Sequence, residues 1–329
     1  MEKTGGFLVR MRELVVAGLK RRVVDQIEGA ARTWLSRATG AAVRALLVMV
    51  LVVLPSVVLP DIGTDTKQIV ALVALFAGAL VFVEYNAVYP SLVEFRDGAP
   101  FNRIRYLMLL AIVLFLSVIV ADRVEPTTVT GLFRALGDAV GTALDFPYSP
   151  VRLATFLVND AATADQIADL RAAAGTAYLL SLLSLAVFVI VLKLEGWPST
   201  KSAFNVWVNL PTFEPTAGGD VVDRLERDSR VNLGLGFLLP FLIPALISIL
   251  TVGLPPDALT SSQTLVWAMA AWAFLPASLL MRGVAMARIA DMVRVKRAQK
   301  IADEAAEAAE DAADRRAKEN GANDDGDRF

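Results

Sequence analysis

Apolar residues along this chain collect into long runs without a charge, and six of these approach or exceed the roughly 20 residues a helix needs to cross a hydrocarbon core about 30 Å thick. The predicted spans are 42–60, 68–88, 105–121, 175–192, 233–254 and 263–281. The last three lie in uncharged stretches from Ala172 to Leu192, Val231 to Pro256 and Ala258 to Met281. Their periodicity does not fit a half-solvated helix. The first three have shorter uncharged stretches, Ala45 to Pro60, Gln68 to Val83 and Tyr106 to Ala121. Arg44, Glu84 and Arg105 flank them, where long side chains reach toward headgroups. The fold class that follows is all-α, a polytopic membrane protein with about six transmembrane helices.

Outside the spans the pattern changes. Apolar residues at Leu8, Met11, Val15, Leu19, Val23, Ile27, Ala30 and Trp34 recur at helical spacing, with Lys20, Arg21, Arg22 and Arg32 off that stripe. This predicts a cytoplasmic amphipathic helix in residues 1–41, with those four basic residues as candidate contacts for anionic lipid. The same stripe also suits packing on the protein's own helices. The loop 122–174 predicts short interfacial helices, then a helix capped near Thr163 or Asp165 that runs into the fourth span. In the loop 193–232, alternation from Phe204 to Leu210 between Pro198 and Pro211 resembles a strand, yet a lone strand has no partner, so an extended coil under the bundle is favoured. Residues 282–329 continue the last helix, basic from Arg288 to Lys300, acidic from Asp303 to Asp314, with a polar tail from Asn320 expected to be disordered. The chain thus divides into a segment 1–41, a membrane domain 42–281 and a charged extension 282–329.

Charge orients the spans. Of 32 Lys and Arg, 27 fall on one side; the other side holds Lys67, Arg123, Arg134, Arg152 and Arg171. Retention of positive flanks in the cytoplasm predicts that both ends are inside. The first apolar stretches are broken by Arg10, Arg12 and Glu13, so no cleavable signal peptide is expected. A mean hydropathy of +0.54 with 55% hydrophobic residues agrees with a chain whose solvent is largely lipid. The preference for Arg over Lys and the many Ala and Val residues suggest a GC-rich bacterial origin, hence the inner membrane.

Chemistry is narrowed by absences. The sequence has no Cys and no His, which removes thiolate sites, disulfides and the commonest general base and metal ligand. The run Gly196 to Ser202 lacks the glycine spacing of a phosphate loop. No cofactor, metal or nucleic acid is expected. Glu84, near the inner end of the second span, is the sharpest candidate: a coupling carboxylate, or an interfacial ion-pair partner of Arg103 or Arg105. Prolines 55, 240, 244 and 276 interrupt three spans and free carbonyls that neighbours must satisfy. Small residues at Ala71, Ala74 and Gly78, at Ala177, Ser181 and Ser184, and at Ala270, Ala273 and Ala277 suit close helix packing.

These readings favour a non-enzymatic interaction, assembly or scaffold protein whose partners meet segments 193–232 and 282–329. The alternative is a small secondary transporter or channel using Glu84. An intramembrane enzyme ranks third. The orientation is directly testable: alkaline phosphatase fused after Phe329 should be inactive, whereas fusion within 122–174 should be active. The reverse pattern would overturn the six-span arrangement.

Overall fold

The computed structural model describes residues 36–96, 98–157, 163–198, 209–211, 213, 218–250 and 261–326. Every regular element among them is a helix. In chain order these are α1 (Ser36–Val58), α2 (Thr64–Asn86), α3 (Ala99–Ala121), α4 (Thr128–Leu144), α5 (Pro150–Thr155), α6 (Ala164–Glu195), α7 (Val221–Leu250) and α8 (Ser262–Gly326). Six of them, α1, α2, α3, α6, α7 and α8, are long and apolar enough to cross a membrane, as expected for a polytopic helical protein. Helix α1 stops at Val58 rather than running to residue 60, because Pro60 disfavours helical geometry at the residue before it. The turn that follows is tied to the start of α8, where Ser262 Oγ donates to Asp61 at 2.6 Å.

Helix α8 is the axis of the bundle. It contacts α3, α6 and α7, and its buried positions Met269, Ala270, Ala273, Ala277 and Met281 recur at helical spacing. Its most extensive contact is with α7. Two prolines in α7 explain one polar link across that contact. Pro244 has no N–H, so the Pro240 carbonyl four residues earlier loses its intrahelical donor. The buried indole of Trp272 supplies one from α8, with Nε1 at 3.1 Å from Pro240 O. A residue that interrupts the helix is thereby answered by packing. Ser229 Oγ makes a second crossing bond, to Gly283 O at 2.8 Å.

Helix α6 begins with a reciprocal capping box, in which Thr163 and Gln166 each accept from the other's backbone N–H. It then runs without a break for 32 residues and ends at Gly196 in the left-handed conformation. Its first turns lie outside the expected span 175–192 and carry α4. A Cβ at Gly175 would stand 2.5 Å from Gly141 Cα, so both positions need glycine for the two backbones to meet. This accounts for Gly141 within α4, where glycine weakens the isolated helix. Phe133 packs edge-on against Phe115 of α3 with ring centroids 4.9 Å apart, while Val129, Leu132 and Leu136 are exposed on the side turned away from the buried Gly137 and Gly141.

Charge fastens the same region. Arg123 and Arg134 both pair with the buried carboxylate of Asp169 on α6, and Arg152 and Arg171 converge on Asp145. Burial alone would pull the Arg134 guanidinium down, but the hydrogen bond and charge of Asp169 more than reverse this and hold it above its ordinary value.

The amphipathic stretch 8–34, with Lys20, Arg21, Arg22 and Arg32, lies outside the described residues, as do residues 204–208 of the strand-like run Phe204 to Leu210. At the end of that run Phe95 N–H donates to Asn209 O at 2.7 Å, and Leu210, with Phe213 beyond it, is buried. Helix α8 continues to Gly326, beyond the Asn320 at which a disordered tail was expected. Once a helix is nucleated each added residue costs little, and its alanines favour propagation.

Trp272→Phe should remove the donor while leaving the ring, exposing Pro240 O to a loss of about 1–3 kcal/mol in bundle stability. Adding Pro244→Ala restores an intrahelical N–H and should recover much of it. Thermal melts of the four proteins in one detergent would show the coupling, and strict additivity would refute this role for the indole.

Candidate functional site: an arginine-lined cavity beside the α2–α3 loop

The connection from α2 to α3 is short, and side chains at its two ends and within it engage many of its backbone groups. Glu84, in the last turn of α2 and only 6% exposed, turns its carboxylate back over the loop. One oxygen accepts from the Ser91 hydroxyl at 2.5 Å; the other accepts from the backbone N–H groups of Ser91, Leu92 and Val93 at 2.9, 2.9 and 3.3 Å. Arg96 donates to the carbonyls of Ala87 and Val88, and Asn102 donates to those of Glu94 and Phe95. Phe95 itself is fully buried with φ at +51°, a left-handed geometry uncommon for a bulky residue. Phe101 and Trp197 pack on its ring, with centroids at 4.2 and 6.0 Å. Strain of this kind persists only where surrounding contacts over-determine it.

The loop is also bolted to the centre of the bundle. Arg282 of α8 grips both oxygens of Glu94, at 2.6 and 2.9 Å, and also donates to Asn232 of α7 at 3.0 Å. A planar guanidinium suits this two-oxygen contact in a way that lysine would not.

Between this loop and helices α1, α2 and α3 lies a cavity of about 510 Å³. Its polar wall carries Arg44, Tyr85, Glu94, Asn102, Arg103, Arg105 and Tyr106; Leu47, Val48, Val81, Leu92 and Val93 supply the apolar wall. Arg44 lies over the Tyr85 ring at 4.7 Å and donates to Gly40 O in its own helix. Arg105 stands over Phe101 and Phe274, at 5.1 and 5.7 Å from their centroids. Aromatic faces hold cations without neutralising them, and the Arg105 Nε is buried without a hydrogen-bond partner. Tyr106 braces α3 on α1 through its hydroxyl, which donates to Leu47 O at 2.9 Å.

Of the residues singled out from the sequence, Arg103 and Arg105 come together in this cavity, while Glu84 faces the loop and accepts from its amides rather than from either arginine. Arg44, Tyr85 and the Glu94–Arg282 pair were missed. The signal available for Arg44 was that it stands at the polar end of an uncharged run, as Arg105 does. Among the described residues no group of acidic side chains is arranged to hold a metal ion. The chain matches no protein-family model, no curated protein and no solved structure.

A carboxylate answering four donors is worth more than an exposed ion pair. Glu84→Gln keeps the shape but replaces one acceptor oxygen with an NH₂ group facing donors, so it should destabilise the fold by about 1–3 kcal/mol. Ser91→Ala, which leaves the amide contacts intact, should cost less. Denaturation of both variants in detergent would test this, and a Glu84→Gln protein as stable as wild type would refute it.

Proposed function

We propose that this is a multi-pass protein of a bacterial inner membrane, with both ends in the cytoplasm, that serves a non-enzymatic interaction or assembly role. The observation that carries the reading is the continuity of α8. One helix of 65 residues, about 98 Å long at 1.5 Å per residue, joins the centre of the bundle to a solvated arm. Near its base the arm is clamped to α7 through Arg294 with Glu226 and Arg297 with Asp220. The hydrogen bond from Arg297 and the backbone N–H of Val222 hold the Asp220 carboxyl below its ordinary value, so the clamp is charged at neutral pH. From Arg297 to Ala313 every residue is exposed. Beyond the Arg297 clamp a helix exposed on all sides packs on nothing in its own fold, while its basic and then acidic stretches are suited to charged partners.

The rival reading is a small secondary transporter or channel. Two observations favour the interaction role over it. Glu84 spends both oxygens on closing a loop, and the carbonyl freed by Pro244 is answered by Trp272. The side assignment rests on the distribution of basic residues.

A chain ending at Lys300 should stay inserted and melt with the full-length protein. A photo-reactive residue at Ala308 of the full chain should give protein adducts in intact cells, whereas one at the exposed Leu72 of α2 should not. A proton-driven flux in proteoliposomes that Glu84→Gln abolishes in a folded protein, with no adducts from Ala308, would replace this reading with the transporter.

A further inference from the structure

We propose that the cavity between α1, α2 and α3 binds one anionic phospholipid, its phosphate among Arg44, Arg103 and Arg105 and its acyl chain along Leu47, Val48 and Val81. The argument begins with charge. Three guanidinium groups line one cavity, and the carboxylate also present, Glu94, is already gripped through both oxygens by Arg282. The site is therefore left with excess positive charge. Arg105 sharpens the point, because its guanidinium carbon lies 5.1 and 5.7 Å from the Phe101 and Phe274 ring centroids, which hold its charge without neutralising it. A phosphate is the anion that a guanidinium fork fits best.

Height in the membrane then selects a lipid over a free anion. Arg44 immediately precedes the uncharged run of α1, Tyr85 follows that of α2, and Arg105 precedes that of α3. All three side chains therefore sit at the same boundary between apolar helix and polar flank, which is where phosphates of a bilayer lie. Leu47 and Val48 are the next turn of α1 into the apolar run, and Val81 is the turn of α2 that precedes Tyr85. The cavity is polar at headgroup level and apolar one turn deeper, matching a molecule with a phosphate on one side and a hydrocarbon chain on the other. Tyr85 and Tyr106 add amphipathic rings suited to that level. This site is separate from the basic residues of the first 41 positions, and it does not depend on the role proposed for the α8 arm.

The test uses the full chain in neutral detergent, with lipid retention read by native mass spectrometry. Phosphatidylglycerol and phosphatidylcholine are offered at equal concentration, and inorganic phosphate is offered alone and as a competitor. Wild type should retain one phosphatidylglycerol per chain in preference to phosphatidylcholine. The Arg44→Gln, Arg103→Gln double variant changes two exposed arginines and should lower that retention roughly tenfold or more, since each basic residue near a lipid surface contributes on the order of 1 kcal/mol. Arg227→Gln, exposed on α7 away from the cavity, should leave it unchanged. Arg105→Gln should act in the same direction as the double variant. If Arg105→Gln melts early, the double variant decides the outcome. Equal retention of the two lipids, retention unchanged in the double variant, or displacement by millimolar phosphate would each overturn the proposal.

Discussion

Inside a hydrocarbon layer a backbone carbonyl or hydroxyl has no water to fall back on, so each must find its partner within the protein. The arrangement of these helices follows from that requirement. Pro240 O takes the Trp272 indole and Leu47 O takes the Tyr106 hydroxyl, so α7 meets α8 and α3 meets α1 through bonds that cross helix boundaries. Ser117 and Ser181 instead turn their hydroxyls back onto carbonyls of their own helices, Val113 and Tyr178. Apolar packing brings the helices together, but these directional contacts fix which faces meet.

The same rule shapes the α2–α3 connection. A chain that reverses between two spans must find partners for its amides close to the membrane, and Glu84 does so with a single carboxylate. The left-handed Phe95 is the cost of folding the loop tightly enough to cover the bundle end. Its ring fills the space above Phe101, and the Glu94 next to it meets Arg282. Loop, α7 and α8 are thereby joined at one point, and the cavity beside that junction inherits a fixed shape.

What was legible in the sequence reflects which forces act locally. Uncharged runs located all six long helices, and the pair Thr163 or Asp165 located the start of α6, because hydrophobicity and capping are read over a few neighbouring residues. Helix ends were less legible: α1 stops at Val58 rather than residue 60, and α8 runs to Gly326 past Asn320, since a helix can continue in water once it has begun. The partner of Glu84 was not legible. Arginines nearby in sequence suggested an ion pair, yet the donors turned out to be backbone amides, which every residue carries and no letter announces. Nor was the cavity, because Arg44 and Arg105 are neighbours only after α1 and α3 have packed.

Within the helices the uncharged runs of α1, α2 and α3 are 14, 16 and 16 residues long, while those of α6, α7 and α8 span 21, 20 and 20. At 1.5 Å per residue the first group offers about 21–24 Å of apolar length, several ångströms less than a typical hydrocarbon core. Hydrophobic mismatch is thus built into one flank of the molecule. Lipid beside α1 and α2 must thin to meet them, at a fraction of a kcal/mol for each ångström, while the longer α6, α7 and α8 can tilt to fit the same layer. Thinning on one flank deforms the surrounding bilayer asymmetrically and gives the protein a preference for thinner membrane.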